Sequence, residues 1–168
     1  MKTLAILIII IGVLLKVLLI KKIRIDKKSE YDSYSNDRYQ WGILTSFLEF
    51  KILSKYAGEI PFGPVFIHIK TEPKNIFDKT FFSDWFYRVE NGVFLQRWSL
   101  NPLKRSNLSN AERELIFIDF ETKKIKIIYS DIKTFWMDIE KNDNDQLILV
   151  LNNGKLEERI KIPNLNNL

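Results

Sequence analysis

The sequence of 168 residues contains no cysteine and a single histidine, and these two scarcities narrow the chemistry open to it. Without cysteine there is no thiolate nucleophile, no disulfide bond and no cysteine-ligated zinc. With His68 as its one histidine, the chain lacks the groups of several histidines and carboxylates that usually bind metal ions. Phosphate-binding glycine loops and the nucleophile-elbow pattern are also missing. We therefore predict a protein that is not an enzyme and that needs no cofactor and no metal.

A long apolar run, Leu4 to Ile20, stands near the start of the chain. As a helix, residues 3–20 would extend about 27 Å, close to the roughly 30 Å of a bilayer's hydrocarbon core. Lys16 lies about one turn from the end of the run, so its ammonium group can reach the headgroups. A signal-peptide cleavage site needs small residues after the run, and none is present there. We expect residues 1–25 to be a retained transmembrane helix with a basic flank, and not a helix lying in the membrane plane.

Positive charge concentrates around the C-terminal end of this run. The membrane-flank residues are Lys16, Lys21, Lys22, Arg24, Lys27 and Lys28. Because cytoplasmic flanks are enriched in lysine and arginine, residues 21–168 should lie in the cytoplasm, at the cell (inner) membrane. The same cations could also bind anionic lipid headgroups. Residues 1–30 hold seven basic and two acidic side chains, which equals the whole net charge of +5. The rest of the chain is neutral, so we expect no nucleic-acid partner.

Composition divides the chain into an anchor, a polar linker over residues 26–39, one domain over residues 40–163 and a loose tail over residues 164–168. At the start of the domain, apolar residues recur at intervals of three and four from Trp41 to Tyr56. This spacing predicts a helix that begins after Asp37 and stops at Gly58. We expect it to cover the open face of a sheet. The alternative is a helix that lies on the membrane or on a partner.

The chain from Pro61 onward has the features of short antiparallel strands. The dipeptide Asn91-Gly92 between two apolar runs is a strong hairpin signal, because a type I′ turn needs positive φ at both central residues. It would set Val89 opposite Phe94 and Trp85 opposite Trp98. Other predicted strands are Val65–Ile69, Leu115–Phe120, Ile125–Tyr129, Lys133–Ile139, Gln146–Leu151 and Leu156–Ile162.

Alternation along these strands supports the same interpretation. Ile125, Ile127 and Tyr129 alternate with Lys124 and Lys126, which is typical of a half-buried strand. Turn-forming residues separate the segments at short, regular intervals. The predicted fold class is α+β and mostly β: a transmembrane helix followed by a small antiparallel barrel or sandwich with one covering helix.

Residues 85–162 resemble a bacterial pleckstrin-homology-like domain. The resemblance rests on the hairpin Val89–Val93, on the stretch Ile125–Ile132 and on the last strands with their turn at Asn153–Lys155. It implies a PH-like module that binds or scaffolds without catalysis, and it transfers no specific ligand. The family closes one barrel end with a C-terminal helix, which this chain has no room for after Ile162. The helix predicted over Trp41–Tyr56 would have to take that place.

Aromatic residues are dense between Phe77 and Trp98. They can form the core, which a small domain builds from large side chains, or they can stay exposed as a contact surface. Candidate interface residues are Phe81, Phe82, Trp85 and Phe86. His68 is interpreted as a packed or surface residue. The acidic stretch 142–145 fits a hairpin loop better than a calcium loop, because the glycine and glutamate of an EF-hand are missing.

The sequence thus predicts a single-pass membrane protein whose cytoplasmic, β-rich domain binds a protein partner or lipid headgroups. The alternative is a membrane-tethered inhibitor, such as an immunity protein that blocks a toxin. No small-molecule substrate is evident in either case.

Overall fold

A computed structural model describes residues 38–77, 79–104, 111–134 and 136–165. These residues form ten β-strands and no α-helix, so the prediction of a mostly β fold is confirmed. The strands are β1 Gly42–Phe47, β2 Phe50–Glu59, β3 Val65–Glu72, β4 Phe81–Val89, β5 Gly92–Trp98, β6 Arg113–Asp119, β7 Ile125–Tyr129, β8 Trp136–Lys141, β9 Leu147–Asn152 and β10 Glu157–Lys161. The predicted anchor, its basic flank and most of the predicted linker lie outside the described residues.

The strands form two antiparallel sheets with the simplest possible order. Strands β1 to β7 follow one another across a seven-stranded sheet, here the large sheet. Strands β8 to β10 form a three-stranded sheet with β9 in the middle, here the small sheet. Every hydrogen-bonded pair therefore joins strands that are neighbours in the sequence, and the connections between them are mostly short, as expected for antiparallel strands.

The large sheet curls, so that one of its faces encloses a core. In a flat sheet with strands about 4.8 Å apart, β1 would lie about 24 Å from β6. The ring of Phe47, at the end of β1, instead stacks on the ring of Phe120, just after β6, with 5.5 Å between the ring centroids. This inner face buries residues of all strands from β1 to β6: Leu44, Phe50, Ile52, Ile67, Ile69, Phe82, Val93, Leu95, Ile116 and Ile118.

The opposite face of β4, β5 and β6 packs on the small sheet. Phe94 and Phe117 come from the large sheet, and Met137, Leu149 and Leu151 come from the small sheet, all in one buried cluster. Residues of β5 thus alternate between the two cores, which explains why the strand is apolar on both faces. The two sheets are layers packed face to face.

The helix predicted over Trp41–Tyr56 is wrong, because this segment forms the hairpin of β1 and β2. Leu48 and Glu49 make the turn, and Leu48 takes a left-handed backbone with φ of 52°. The apolar spacing of three and four arose because a β-bulge near Ile43 and the turn both interrupt the two-residue period of the strands. Gly58, expected to end the helix, lies in a second bulge, within β2.

The hairpin of β4 and β5 is confirmed, but its predicted register is wrong. Val89 pairs with Gly92, so Glu90 and Asn91 form the turn and Gly92 belongs to the strand. Trp98 pairs with Phe81 instead of Trp85, because β4 contains an irregularity between Phe82 and Phe86. Glycine is required at position 92 for close packing. A Cβ there would lie 2.2 Å from Cζ of Phe117 and 2.4 Å from the carbonyl oxygen of Ile118.

The remaining predicted strands are present, with ends that shift by a few residues. Strand β7 has the predicted bounds, but its side chains do not keep to one face. A register shift in the pairing with β6 places Ile125 against the inner core and Tyr129 against the cluster beneath the small sheet. Ile127 is left 54% exposed. The segment expected to form the covering helix consists of strands. The PH-like resemblance therefore remains a prediction that concerns only the order of the strands.

Candidate functional site

The aromatic residues chosen from the sequence divide between the two faces of the large sheet. Phe82 is fully buried in the inner core, with its ring centroid 5.0 Å from that of Phe77. Its proposed role as a contact residue is therefore wrong, since no part of its side chain reaches the surface. Phe86 packs against the same core, whereas Trp85 packs against the cluster beneath the small sheet. Adjacent residues of a strand point to opposite faces of the sheet, so the run does not form one contact surface.

His68 and Phe81 are paired on neighbouring strands and pack on each other. Their ring centroids are 4.6 Å apart, and Nδ1 of His68 lies 3.2 Å from the carbonyl oxygen of Thr80. Phe81 also packs against a third small cluster around Phe66 and Trp98. Among the described residues, no group of three histidine, aspartate or glutamate side chains could hold a metal ion.

The acidic loop between β8 and β9 is built as a turn. Oδ1 of Asn142 accepts hydrogen bonds from the backbone N–H groups of Asn144, at 3.0 Å, and Gln146, at 2.9 Å. Asp145 takes a left-handed backbone with φ of 57°. The side chain of Asn142 thus satisfies the loop's own donors, as expected for an asparagine that initiates a turn. Beside this loop is a cleft of about 590 Å³, lined by Glu90, Asn91, Asn144, Asp145, Gln146, Leu147, Ile162, Pro163, Asn164 and Leu165.

A different surface, missed from the sequence, lies on the outer face of β1, β2 and β3. Cross-strand pairing puts Ile43 opposite Leu53 and Leu53 opposite Lys70, so all three share this face. Lys51 and Lys55 flank Leu53 at the two-residue spacing of a strand and therefore point to the same side. We call this surface the basic face, with Trp41, Ile43, Lys51, Leu53, Lys55 and Lys70 as its members.

The basic face combines exposed apolar side chains with lysines. Trp41 is 38% exposed and Ile43 is 46% exposed, and the ammonium group of Lys70 lies 5.0 Å from the centroid of the Trp41 ring. Lys70 also pairs with Glu72 at 3.4 Å. Three lysines and Glu72 give the face a charge of +2, whereas residues 31–168 taken together are neutral. The net charge of the domain therefore conceals a local separation of charge.

Two tyrosines and an ion pair surround the first described residue, next to the basic face. The guanidinium of Arg38 lies 4.3 Å from the ring centroid of Tyr56 and 3.7 Å from a carboxylate oxygen of Glu59. The pKa of Arg38 is raised mainly by its hydrogen bond to the Tyr39 hydroxyl and, after that, by the charge of Tyr39. Burial, followed by the charge of Glu59, raises the pKa of Tyr56. These contacts fix the point at which the chain enters β1.

The outer face of the small sheet forms a second exposed surface. Arg159 of β10 pairs with Glu157 at 2.8 Å and with Glu140 of β8, and so spans the middle strand. Beneath this network, the β9 residues Ile148 and Val150 are buried. Trp136 stands on the same face and is 60% exposed. The hydrogen bonds to Glu157 and Glu140 raise the pKa of Arg159.

The sequence signal for the basic face was present but ambiguous. Lys51 and Lys55 share a face in a helix as well as in a strand, because both four-residue and two-residue periods bring them together. Only the strand period also adds Leu53 and its partners Ile43 and Lys70. The mistaken helix therefore concealed the surface.

Two further observations bear on identity. Within the described ranges, 38–77, 79–104, 111–134 and 136–165, no helix is both long and apolar enough to cross a membrane. No family model, no curated protein and no solved structure matches this chain.

Proposed function

We propose that the chain is a single-pass, membrane-tethered binding module without catalytic activity. The apolar run Leu4–Ile20 anchors it, the cations after the run hold residues 21–168 on the cytoplasmic side, and the β-rich domain binds a ligand at that surface. The shortage of histidine and the absence of cysteine support a role in binding and not in catalysis.

The position of the basic face carries this proposal. Only the short tether from Arg24 to Arg38 separates the anchor from the domain. Even when fully extended, a chain of about 14 residues reaches no farther than about 50 Å. Trp41 and Ile43 follow directly after the end of this tether. The exposed apolar side chains thus belong to the part of the domain that is nearest to the anchor in the sequence.

Extraction and topology experiments test the tether. Alkaline carbonate should leave the full chain in the membrane pellet, and a C-terminal reporter that is active only in the cytoplasm should give signal. Replacing Lys21, Lys22 and Arg24 by glutamine should weaken the orientation preference, whereas replacing Lys123, Lys124 and Lys126 in the domain should not. Release by carbonate, or a signal from the opposite side, would refute the proposal.

A second candidate function is inhibition of a protein at the membrane, as by an immunity protein. The exposed Trp136 on the outer face of the small sheet favours it, because tryptophan is enriched among the residues that dominate protein interfaces. Asp138 lies on the same strand face and would favour a basic partner. A toxin gene next to this gene would identify the partner. Trp136→Ala should then abolish protection from the toxin, and Leu48→Ala, at another exposed site, should leave protection intact.

A further inference from the structure

We infer that the basic face is a docking surface for the anionic bilayer in which the N-terminal segment is anchored. This inference rests on the proposed function and deepens it, because it names the ligand and the residues that bind it. The bound state would hold the domain flat against the headgroups, with β1, β2 and β3 facing the lipid.

The charge of the face is complementary to such a membrane. Lys51, Lys55 and Lys70 stand on adjacent strands, and their ammonium groups are carried on stems long enough to reach into a headgroup layer. Cytoplasmic leaflets with anionic lipids attract lysines that come within about one Debye length, roughly 8–10 Å at physiological salt. Lys74 and Lys79 are exposed in the connection between β3 and β4, which also carries Asp78 and so adds a net charge of +1.

The apolar members of the face are suited to the interface between water and hydrocarbon. Tryptophan concentrates at headgroup depth because its ring is apolar while its N–H can still donate a hydrogen bond. Trp41 and Ile43, at the start of β1, both keep more than a third of their surface in contact with solvent. Leu53, between them and the lysines, is only 8% exposed and belongs to none of the three core clusters. A shallow apolar contact ringed by cations is the pattern expected of a membrane-surface element.

Because the domain is tethered to the bilayer, a surface with weak intrinsic affinity for lipid is sufficient for docking. A net charge of +2 and two half-exposed apolar side chains would bind vesicles poorly as an isolated patch. The short connection from Arg24 to Arg38, however, keeps the face at an effective concentration on the order of millimolar relative to the bilayer. Docking is then an intramolecular step whose strength depends on the lipid charge and on salt.

The absence of cysteine allows a direct test on the full chain. A single cysteine is introduced as Ile43→Cys on the basic face or as Leu156→Cys, which is 74% exposed in the β9–β10 turn. Each variant is labelled with an environment-sensitive fluorophore and reconstituted into vesicles of phosphatidylcholine, either alone or mixed with the anionic lipid phosphatidylglycerol. Quenching by brominated lipids then reports contact between each position and the bilayer.

We expect at least twofold stronger quenching at position 43 than at position 156 in the anionic vesicles. Three changes should each lower the quenching at position 43 to the level at position 156. They are the removal of phosphatidylglycerol, an increase of the salt concentration to about 0.5 M, and the joint replacement of Lys51, Lys55 and Lys70 by glutamine. The three lysines are not part of the core clusters, and an unchanged thermal unfolding midpoint would show that the triple variant is folded.

Three outcomes would overturn the inference. Equal quenching at both positions would show that the face does not touch lipid. Equal quenching at position 43 with and without phosphatidylglycerol would remove the electrostatic basis. Shielding of position 43 in native membranes but not in pure lipid vesicles would assign the face to a protein. Carbonate extraction of the same samples separates these results from a failure of the tether, because a chain that lacks an anchor would leave the pellet.

Discussion

Arg113 and Ile132 exchange two hydrogen bonds. Nε of Arg113 donates to the carbonyl oxygen of Ile132 at 2.7 Å, and the N–H of Ile132 donates to the carbonyl oxygen of Arg113 at 3.0 Å. Ile132 lies in the connection from β7 to β8, so this pair ties the start of β6 to the segment that leads into the small sheet. Both side chains are buried, and the guanidinium lies 5.1 Å from the Trp98 ring centroid. Burial lowers the pKa of Arg113.

Replacement of this arginine should loosen the junction between the sheets. Arg113→Met keeps most of the side-chain volume but leaves the buried carbonyl of Ile132 without its donor, which costs about 2 kcal/mol. Denaturant unfolding, followed by tryptophan fluorescence, measures the loss. Arg159→Ala is the control, because that arginine is half exposed and solvent-exposed ion pairs contribute little to stability. Equal losses in the two variants would contradict a special role for Arg113.

Gly92 should tolerate no larger side chain. In Gly92→Ala the new methyl group would overlap the Phe117 ring and the carbonyl of Ile118, at 2.2 Å and 2.4 Å, and one of these atoms is backbone. We expect a loss of about 3 kcal/mol or a failure to fold. Gly154→Ala is the comparison: no atom lies within 4 Å of the new methyl, and only a φ of +83° opposes it, at about 1–2 kcal/mol. If Gly92→Ala were as mild as Gly154→Ala, close packing would not be the reason for this glycine.

Phe81 and Phe82 are adjacent in sequence but should respond differently to truncation. Phe82→Ala would open a cavity in the inner core and cost about 3–5 kcal/mol. Phe81→Ala would remove a half-buried ring from His68 and cost at most about 2 kcal/mol. Thermal unfolding of both variants distinguishes the two sites. A larger loss for Phe81 than for Phe82 would mean that β4 faces the opposite way.

Lys123 offers a stabilising substitution. It sits in the β6–β7 turn with φ of 57°, a conformation that costs a residue with a Cβ about 1–2 kcal/mol. Lys123→Gly relieves this strain, but glycine also increases the conformational entropy of the unfolded chain, which offsets part of the effect. We therefore expect the free energy of unfolding to rise by about 0.5 kcal/mol. Lys124→Gly, at the next residue, carries no such strain and should lose about 0.5–1 kcal/mol. The midpoint of denaturant unfolding should therefore move in opposite directions for these neighbours.

The sequence predicted strands well where turns carried recognisable residues. Asn142–Asp145 and Asn152–Gly154 separate β8, β9 and β10, and these strands were placed within a few residues. The first hairpin was missed because its turn residue Leu48 adopts positive φ without being glycine or asparagine. Local sequence carries no sign of that strain, since the conformation is imposed by the pairing of β1 with β2.

The candidate surface was missed for a related reason. Which side of β2 is solvent exposed depends on the curl that brings Phe47 to Phe120, a contact between residues far apart in the sequence. The inner face of β2 buries Phe50 and Ile52, while the outer face leaves its lysines available. Sequence periodicity reports that two faces exist, but the choice of the buried one is made by distant parts of the chain.

The strict succession of strands has a consequence for how the protein is made. Because each strand pairs only with its neighbours along the chain, most contacts are local, and local contacts favour rapid folding. If the N-terminal run enters the membrane first, each hairpin can form as it leaves the ribosome, beginning with β1 and β2 beside the lipid. The Phe47–Phe120 contact closes the curl only once β6 has been synthesised. Until then the inner face of the first hairpins is open, and in a chain anchored by its N-terminal run the nearest apolar surface to that face would be the membrane.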